Sequence, residues 1–314
     1  MAAYAPPTTP VSPWPHRFAL LTAVATFPLL FIGGLVTSTG SGLAVPDWPT
    51  TFGYNMFLYP WSKMVGGIFY EHSHRLFGSL VGFLTVLLGI SLWYSESQPW
   101  LRKLGLVALG AVIFQGILGG LRVVLLQQTL AIIHACFAQA FFALAVILTL
   151  LTSAEWRMPI DKKKAEDASR LQRLGILTSG FIYLQLIFGA ILRHTGAWET
   201  FHFIGAALVA IHIGLLTART VRNHADLPVL LRSTLMLCGF LVFQLFLGIV
   251  TYVEKFTNAG TPFQPYIVLL ATSHVVVGAL MFITCVRFSL RAYRLLDQQP
   301  VAVQPQVLSP QASL

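Results

Sequence analysis

The sequence predicts an all-α polytopic membrane protein whose eight transmembrane helices form two pseudo-symmetric four-helix bundles. Of its 314 residues, 56% are hydrophobic and only 10% are charged, whereas soluble domains carry roughly a quarter charged residues. The apolar runs are long and unbroken, which favours helices over the alternating strands of a membrane barrel. Motifs that recur in the second half of the chain indicate the duplication.

Eight apolar runs, taken in order along the chain, are each long enough to be a membrane-spanning helix. About 20 residues of helix cross the roughly 30 Å of hydrocarbon in a bilayer. The predicted spans are residues 17–37, 72–94, 103–122, 130–152, 171–192, 199–220, 230–253 and 267–290. They divide the chain into a flexible tail 1–16, an N-terminal bundle 17–155, a cytoplasmic linker 156–170, a C-terminal bundle 171–294 and a disordered tail 295–314.

The basic residues predict how these helices are oriented. With both termini placed in the cytoplasm, fifteen Lys and Arg residues lie on the cytoplasmic side and five on the outer side. Cytoplasmic loops of membrane proteins carry such an excess of positive charge. The net charge of +9 is therefore attributed to orientation in the plasma membrane, and it does not indicate a nucleic-acid partner.

The two halves of the chain share a pattern of motifs that is typical of a duplicated four-helix unit. Both halves begin on the cytoplasmic side, so the repeats are parallel and related by an axis near the membrane normal. The loop after the first helix is much longer than its counterpart after the fifth. The matching segments are GGLVTSTG (33–40) with GAILRHTG (189–196), EHSHRLFG (71–78) with ETFHFIGA (199–206), and FQGILGGL (114–121) with FQLFLGIV (243–250).

Four histidines occupy repeat-related positions near the outer ends of the even-numbered helices. These helices run in the same direction, so His74 can face His134, and His202 can face His274. Two neutral imidazoles in an apolar bundle suit a bis-histidine haem, because each ring donates to iron while the apolar surroundings desolvate the macrocycle. One such histidine alone could equally be an interhelical hydrogen-bonding residue, but four at matching positions favour haem ligation.

The other histidines fit this role less well. His72 is two residues from a predicted ligand and projects elsewhere on the helix. His212 lies ten residues beyond His202, about 15 Å deeper, and has no repeat partner. It is predicted to be a packing residue and is the alternative ligand to His202. His16 and His224 fall at cytoplasmic helix ends, where solvent exposure explains them.

Glu71 lies one helical turn before His74 and is the candidate catalytic residue, because a carboxylate at the edge of a haem cleft can accept a proton or stabilise a cationic intermediate. Glu199 has the same geometry in the second half. The alternative for both is a helix N-terminal acid favoured by the macrodipole. Arginines on the outer side could bind haem propionates or snorkel to the interface; they are Arg75, Arg122 and Arg193.

Several motifs together resemble the haem A synthase family. They are GGLVTSTGSGLAVPDWPTTFG at 33–53, EHSHRLFG at 71–78, a histidine opening the fourth helix, RHTG after the fifth helix and a histidine in the eighth. The resemblance extends from about Phe18 to Arg294. It implies two four-helix bundles that convert haem O to haem A, oxidising one porphyrin methyl group stepwise to a formyl group with oxygen from water.

The resemblance also assigns individual residues. It implies His74 and His134 for the haem O substrate, His202 and His274 for a haem b cofactor, and Glu71 for catalysis. Apart from the resemblance, Arg75 and Arg193 are the arginines predicted to contact the haem groups. The chain departs from the family at Val45, since many bacterial members carry a cysteine pair in the outer loops. Here all three cysteines lie in apolar runs, so a thiol-based role of that loop cannot operate.

The long loop from Gly34 to Gly53 is predicted to be a lid over the first haem site. Its glycines let the backbone fold back tightly. Pro46, Trp48 and Pro49 would make the lid stiff and amphipathic at the membrane interface, where Trp is favoured.

Two functions of other classes stay open. One is a di-haem b electron-transfer protein without methyl oxidation, although no span here holds the histidine pair that such proteins commonly carry in one helix. The other is a transporter whose histidines relay protons. The expected partners are haem O and the lipid bilayer, with a haem O synthase and cytochrome oxidase assembly factors as further candidates. A homo-oligomer also stays open.

Overall fold

The computed structural model describes residues 12–257 and 264–298. Within them, eight helices are long and apolar enough to cross a membrane, which confirms the predicted all-α polytopic fold. In chain order they are α1 (Trp14–Ser38), α2 (Gly67–Ser95), α3 (Pro99–Leu125), α4 (Gln128–Leu151), α5 (Ala168–Thr195), α6 (Glu199–Asn223), α7 (Pro228–Thr257) and α8 (Pro265–Leu295).

Helices at both ends of the chain extend beyond the predicted limits of the bundles. α1 begins at Trp14, so the last residues assigned to the N-terminal tail are helical; residues 1–11 of that tail lie outside the described residues. α8 ends at Leu295, and residues 299–314 of the predicted C-terminal tail also lie outside them. Pro99 and Pro265 open α3 and α8, because the first helical position needs no backbone N–H.

Each half of the chain closes into a ring of four helices. In the first ring, α1 and α3 each pack against α2 and α4. The second ring repeats this pattern, with α5 and α7 each packed against α6 and α8. The rings meet where α1 contacts α8 and where α4 contacts α5 and α8. The even-numbered helices that carry the predicted ligands therefore lie across from each other within each ring.

Short elements join the helix ends that lie far from the predicted ligands. A helical turn, Ala154–Arg157, follows α4, and Arg157 forms an ion pair of 2.6 Å with the buried Glu96. Strand β1 (Lys163–Ala165) pairs in parallel with β2 (Leu296–Gln298).

The exposure predicted for His224 is wrong. Its side chain is fully buried, and its Nε2 lies 3.0 Å from Oδ1 of Asp167. Asp167, directly ahead of α5, therefore contacts the imidazole at the end of α6. His16 is half-buried, with Nδ1 3.1 Å from the backbone oxygen of Thr149.

Candidate functional site

The four histidines at repeat-related positions form two facing pairs. In the first ring, the imidazoles of His74 on α2 and His134 on α4 lie 6.3 Å apart between centroids, with their planes at 75°. In the second ring, His202 on α6 and His274 on α8 are also 6.3 Å apart, with their planes at 64°. All four residues are half-buried. The structure brings each predicted ligand beside its expected partner.

This separation suits an iron atom held between two imidazoles. A metal–imidazole bond is about 2 Å long. A five-membered ring with bonds of about 1.3 Å has a radius of about 1.1 Å. Two such bonds and two such radii place the ring centroids about 6 Å apart. Both pairs therefore stand at the distance of a bis-imidazole metal site.

The donor set favours haem over a bare metal ion. Among residues 12–257 and 264–298, no three His, Cys, Asp or Glu side chains cluster closely enough to hold a metal ion. A bare transition metal usually takes three or four protein ligands, whereas a haem macrocycle supplies the equatorial ligands and needs only axial ones from the protein. Two imidazoles at each site are therefore the ligands that a haem needs from the protein.

In the first ring, a glycine packs against each imidazole. A β-carbon added to Gly33 of α1 would lie 2.9 Å from Cε1 of His74. One added to Gly119 of α3 would lie 3.0 Å from Cε1 of His134. Such contacts are closer than close-packed interiors tolerate without movement. Any larger residue at either position would push its imidazole out of place.

The second ring repeats this arrangement. A β-carbon added to Gly189 of α5 would lie 3.2 Å from Cε1 of His202, and one added to Gly248 of α7 would lie 3.0 Å from Cε1 of His274. These glycines match those of the first ring within the repeated motifs. Sequence reasoning missed all four, although their equivalent places in the repeat were a usable signal.

Hydrogen bonds connect α3 and α7 to two of the ligand residues, and one of them involves an imidazole. Gln115 Nε2 donates to the backbone oxygen of His134 at 3.0 Å. Nδ1 of His274 lies 3.2 Å from the backbone oxygen of Gln244, close enough for an Nδ1–H group to donate. That tautomer leaves the Nε2 lone pair available to a metal. The side-chain nitrogen of Gln244 is also near, 3.4 Å from Nε2.

The carboxylate of Glu71 is buried one turn before the first ligand and has two partners. Its Oε2 accepts the backbone N–H of Val45 at 2.9 Å, and its Oε1 accepts Arg75 at 2.9 Å. The residue is only 4% exposed. Hydrogen bonds to both carboxylate oxygens offset the cost of burying this acid. The candidate catalytic group is thus tied directly to the loop that follows α1.

Arg75 anchors the same loop onto α2. Its Nη1 donates to the backbone oxygens of Asp47 and Thr50 at 2.7 and 2.9 Å. Its Nη2 donates to the backbone oxygen of Val45 at 3.0 Å in addition to Glu71. Both terminal nitrogens therefore already bind protein atoms. The expected contact of Arg75 with a haem group stays a prediction.

The loop is also held on α3. Arg122 donates to the backbone oxygen of Gly42 at 2.7 Å. The indole of Trp48 packs directly on Gly120 and leaves no room for a β-carbon there. Gly120 directly follows the glycine that packs on His134. Residues 39–66 therefore contact α2 and α3 beside both ligands of the first pair.

Asp47 shapes the turn inside this loop. Its oxygens accept the N–H groups of Phe52 and Gly53 at 2.7 and 2.8 Å and the hydroxyl of Thr50 at 2.5 Å. Gly53 adopts a φ of 77°, a conformation that glycine takes without strain. Partial burial raises the pKa of Asp47, but these hydrogen bonds outweigh it and hold the pKa below the ordinary 3.8.

In the second ring, α5 and α6 are joined by a tight turn of residues 196–198. Gly196 ends α5 with a φ of 72°. Glu199, the counterpart of Glu71, accepts the hydroxyl of Tyr252 at 2.8 Å. Its side-chain partner is therefore a neutral phenol, whereas Glu71 binds a guanidinium.

Arg193 connects the two rings. Near the end of α5, it donates to the backbone oxygen of Gly34 at 2.8 Å and to the hydroxyl of Ser38 at 2.5 Å, both on α1. It also donates to the backbone oxygen of Ala271 on α8 at 3.3 Å. Its expected contact with a haem group likewise stays a prediction.

The alternative ligand His212 lies elsewhere on α6. Its Nδ1 is 2.8 Å from the backbone oxygen of Leu208, and its ring lies 4.4 Å from that of Phe181. The structure pairs His202, not His212, with His274.

Comparison with known proteins gives a consistent family. The profile of the COX15-CtaA family, described as cytochrome oxidase assembly protein, matches residues 16–199. Heme A synthase of Shouchella clausii (strain KSM-K16) is 32% identical over 185 residues, covering 58% of this chain and 60% of that protein. Heme A synthase 2 of Acidiphilium cryptum (strain JF-5) is 26% identical over 341 aligned residues, covering 84% of this chain and 91% of that protein.

The family match covers nearly all of α1, all of α2 to α5 and the turn that leads to α6, whereas His202 and His274 lie beyond it. The chain spans about three fifths of the length of the Shouchella clausii relative. A match over more than half of the chain agrees with the resemblance drawn from the loop and histidine motifs. The chain belongs to the COX15-CtaA family of cytochrome oxidase assembly proteins.

Proposed function

We propose that this protein converts haem O to haem A by oxidising one porphyrin methyl group, first to hydroxymethyl and then to formyl. With oxygen from water, the change in the substrate is the half-reaction R–CH3 + H2O → R–CHO + 4 e⁻ + 4 H⁺, and an external one-electron acceptor takes up the four electrons. The observation that carries the proposal is the presence of two histidine pairs at bis-imidazole distance, of which the first lies beside a buried carboxylate and an anchored loop. The names of the relatives support it.

The two rings take different roles in this proposal. The first holds haem O as substrate on His74 and His134. The second holds haem b on His202 and His274. A bis-imidazole haem supplies one-electron transfer when it is bound. The glycine beside each of the four imidazoles supports a haem in both rings, because no side chain fills the space next to the ligand there.

Glu71 is the proposed proton acceptor. Its carboxylate lies one turn before His74, and a positioned carboxylate can take up protons released as a carbon is oxidised. The backbone N–H of Val45 and the guanidinium of Arg75 orient its two oxygens. The loop of residues 39–66 is the proposed lid, which limits the access of bulk water to the reacting methyl group.

The test is expression of the chain together with a source of haem O, followed by extraction of the non-covalent haems and mass analysis. We expect hydroxymethyl and formyl porphyrins from the wild type. Glu71→Gln should lower conversion by about 100-fold or more. Glu199→Gln is the matched control and should retain most of the conversion. Full conversion by Glu71→Gln would contradict its role, and no conversion by the wild type would contradict the reaction.

A di-haem b electron-transfer protein is the second candidate. The equal spacing of 6.3 Å in both rings favours it, because two identical cofactors would need equal sites. It predicts two b haems in the purified protein and no oxidised porphyrin in the same extraction. The proton-relay transporter predicts no haem absorption at all.

The proposed setting is the plasma membrane, with both termini in the cytoplasm. An enzyme that makes haem O would act before this protein, and cytochrome oxidase assembly factors would act after it. Fusion of a reporter that is active only in the cytoplasm to the C-terminus should give activity. An inactive fusion of normal abundance would contradict the orientation.

A further inference from the structure

Four arginines meet at the ends of α5 and α6 that lie far from the histidine pairs. They line a cavity of about 470 Å³ between the two helices, together with an apolar wall. We call this feature the basic groove. Its arginines are Arg170, Arg173, Arg219 and Arg222, and its wall includes Leu174, Leu177 and Leu215. Along α6, Arg219 lies roughly 25 Å from His202 at 1.5 Å per residue.

No carboxylate forms a salt bridge with these arginines within the part of the chain that the structure describes. None of the salt bridges there involves any of the four arginines. Arg173 donates only to a backbone oxygen of its own helix, that of Ser169 at 3.2 Å. Two of the arginines also lie near the start of α5, where the helix macrodipole disfavours positive charge. Arg219 and Arg222 lie near the end of α6, where the macrodipole favours positive charge, so the unfavourable positions in the basic groove are those of Arg170 and Arg173.

The nearest acid is Asp167, and it is already engaged. Its Oδ2 accepts Asn223 at 2.6 Å, and its Oδ1 lies 3.0 Å from Nε2 of His224. Partial burial raises the pKa of Asp167, but these two contacts and the nearby charge of Arg219 outweigh burial and lower it. Asp167 thus hydrogen-bonds to the end of α6 and acts on Arg219 only through its charge, so none of the four guanidinium groups is hydrogen-bonded to it.

The basic groove is absent from the equivalent place in the first ring. If these arginines only reflected the general excess of positive charge on one side of the membrane, both halves of the chain should carry them. The residues at the corresponding repeat positions are Trp14, Arg17, Ser91 and Tyr94, with a single arginine. A cluster that only one copy carries is better explained by a ligand than by orientation.

The combination of arginines and an apolar wall in the basic groove favours a lipid over a free anion. Its wall continues onto the membrane-facing surface, where Leu177 and Leu215 are 54% and 52% exposed. A free phosphate would use only the charged end, whereas a phospholipid would use both. Basic pockets between transmembrane helices bind anionic headgroups in this way. We propose that the basic groove binds an anionic phospholipid, with its phosphate among the four arginines and its acyl chains along the leucine wall.

The test is native mass spectrometry of the full-length protein offered equal amounts of phosphatidylglycerol and phosphatidylcholine with the same acyl chains. The wild type should retain phosphatidylglycerol preferentially. Arg219→Gln/Arg222→Gln should weaken this retention about thirtyfold, since each cation near a membrane surface contributes roughly fivefold. The control Lys162→Gln/Lys164→Gln removes two exposed charges outside the basic groove and should leave the preference unchanged.

Equal retention of the two lipids by the wild type would overturn the proposal, as would undiminished retention by the double arginine variant. Displacement of the lipid by excess inorganic phosphate would show a free-anion site and would also overturn it. Circular dichroism checks that the variants fold. If the double variant does not fold, the single variant Arg222→Gln, at an exposed position, is measured instead, and its retention of phosphatidylglycerol should be about fivefold weaker. Lipid retention is independent of the haem reaction, so failure of either proposal leaves the other standing.

Discussion

The two rings hold their histidines alike but surround them differently. Both pairs are separated by 6.3 Å, and a glycine packs on each imidazole. In the first ring, the loop of residues 39–66 is fixed by Arg75 and Arg122 beside the pair. In the second ring, a turn of residues 196–198 takes the corresponding place. The two rings therefore share the residues that contact the imidazoles and differ in their connections.

This difference suggests how one fold can treat two similar macrocycles unequally. The facing histidines and the glycines beside them are common to both rings. The connection between the first two helices of each ring differs, and so do the partners of the acid that precedes the first histidine. Glu71 is held by a guanidinium and a backbone N–H, whereas Glu199 accepts a phenol. The following predictions test whether this inequality is functional.

The largest expected effect comes from removing ligands in one ring at a time. His274→Ala should abolish retention of the resident haem, with affinity lowered by more than about 100-fold, because one axial ligand is lost. His134→Ala should spare that haem but stop conversion of haem O. The absorption spectrum of the purified protein and the haem extract measure the two outcomes. His212→Ala is the control and should change neither. Identical behaviour of the two ligand variants would remove the proposed division of roles.

Releasing the loop from α2 should have the next largest effect. Arg75→Gln removes three hydrogen bonds to loop backbone oxygens and the partner of Glu71. We expect conversion to fall about 100-fold, as misplacement of a catalytic group commonly causes, with the resident haem unchanged. Trypsin should also cleave faster after Lys63 in the loop. Arg75→Lys should not restore activity, because an ammonium lacks the fork geometry. Normal conversion with unchanged proteolysis would show that the anchor is dispensable.

A glycine substitution in each ring should have a moderate effect. Gly33→Ala and Gly189→Ala place a β-carbon 2.9 and 3.2 Å from the neighbouring imidazole. Overpacking of this kind typically lowers the free energy of unfolding by about 1–3 kcal/mol. The loss should be larger for Gly33→Ala, whose β-carbon is closer to the imidazole. Thermal unfolding measures the loss of stability, and the haem absorption spectrum shows whether the imidazoles still ligate the haem. Gly180→Ala, on α5 with open space around it, is the control. Unperturbed spectra in both variants would contradict the role of the glycines.

The smallest expected effect concerns Asp47. Its pKa in the folded loop lies below 3.8, so its carboxylate stabilises the turn above that pH, and the contribution is lost as the pH falls through the lowered value. Hydrogen exchange of the Phe52 and Gly53 amides, corrected for intrinsic rates, should accelerate in that acidic range. Asp47→Asn should exchange roughly threefold faster at neutral pH and lack the acid transition. A transition that persists in the variant would assign it to another group.

Some of this architecture could be predicted because it follows from local pattern. Runs of apolar residues predict spans wherever they occur, since a bilayer demands internal hydrogen bonding of the backbone. The repeat placed His74 opposite His134 and His202 opposite His274, because helices two apart in an up-and-down bundle run in the same direction. The burial of His224 could not be predicted in this way. It depends on Asp167, a residue from a distant part of the chain.

The loop shows the same limit at the site itself. The sequence predicted a lid from its glycines, prolines and Trp48, and it predicted that Arg75 would contact a haem group. In the folded protein, Arg75 binds three backbone oxygens of that loop. Backbone oxygens leave no mark in a sequence, since every residue has one. Only the folded path of residues 39–66 shows which of them a guanidinium can reach.

The sequence by itself determined the membrane class, the number of helices, the duplication and the identity of the imidazole pairs, because hydropathy, helical period and repeated motifs are properties of residues near each other in the chain. Tertiary structure alone decided the distance within each pair, the glycines that set it, the partners of Glu71 and the cluster of four arginines. These depend on helices that pack side by side although their residues are far apart in sequence.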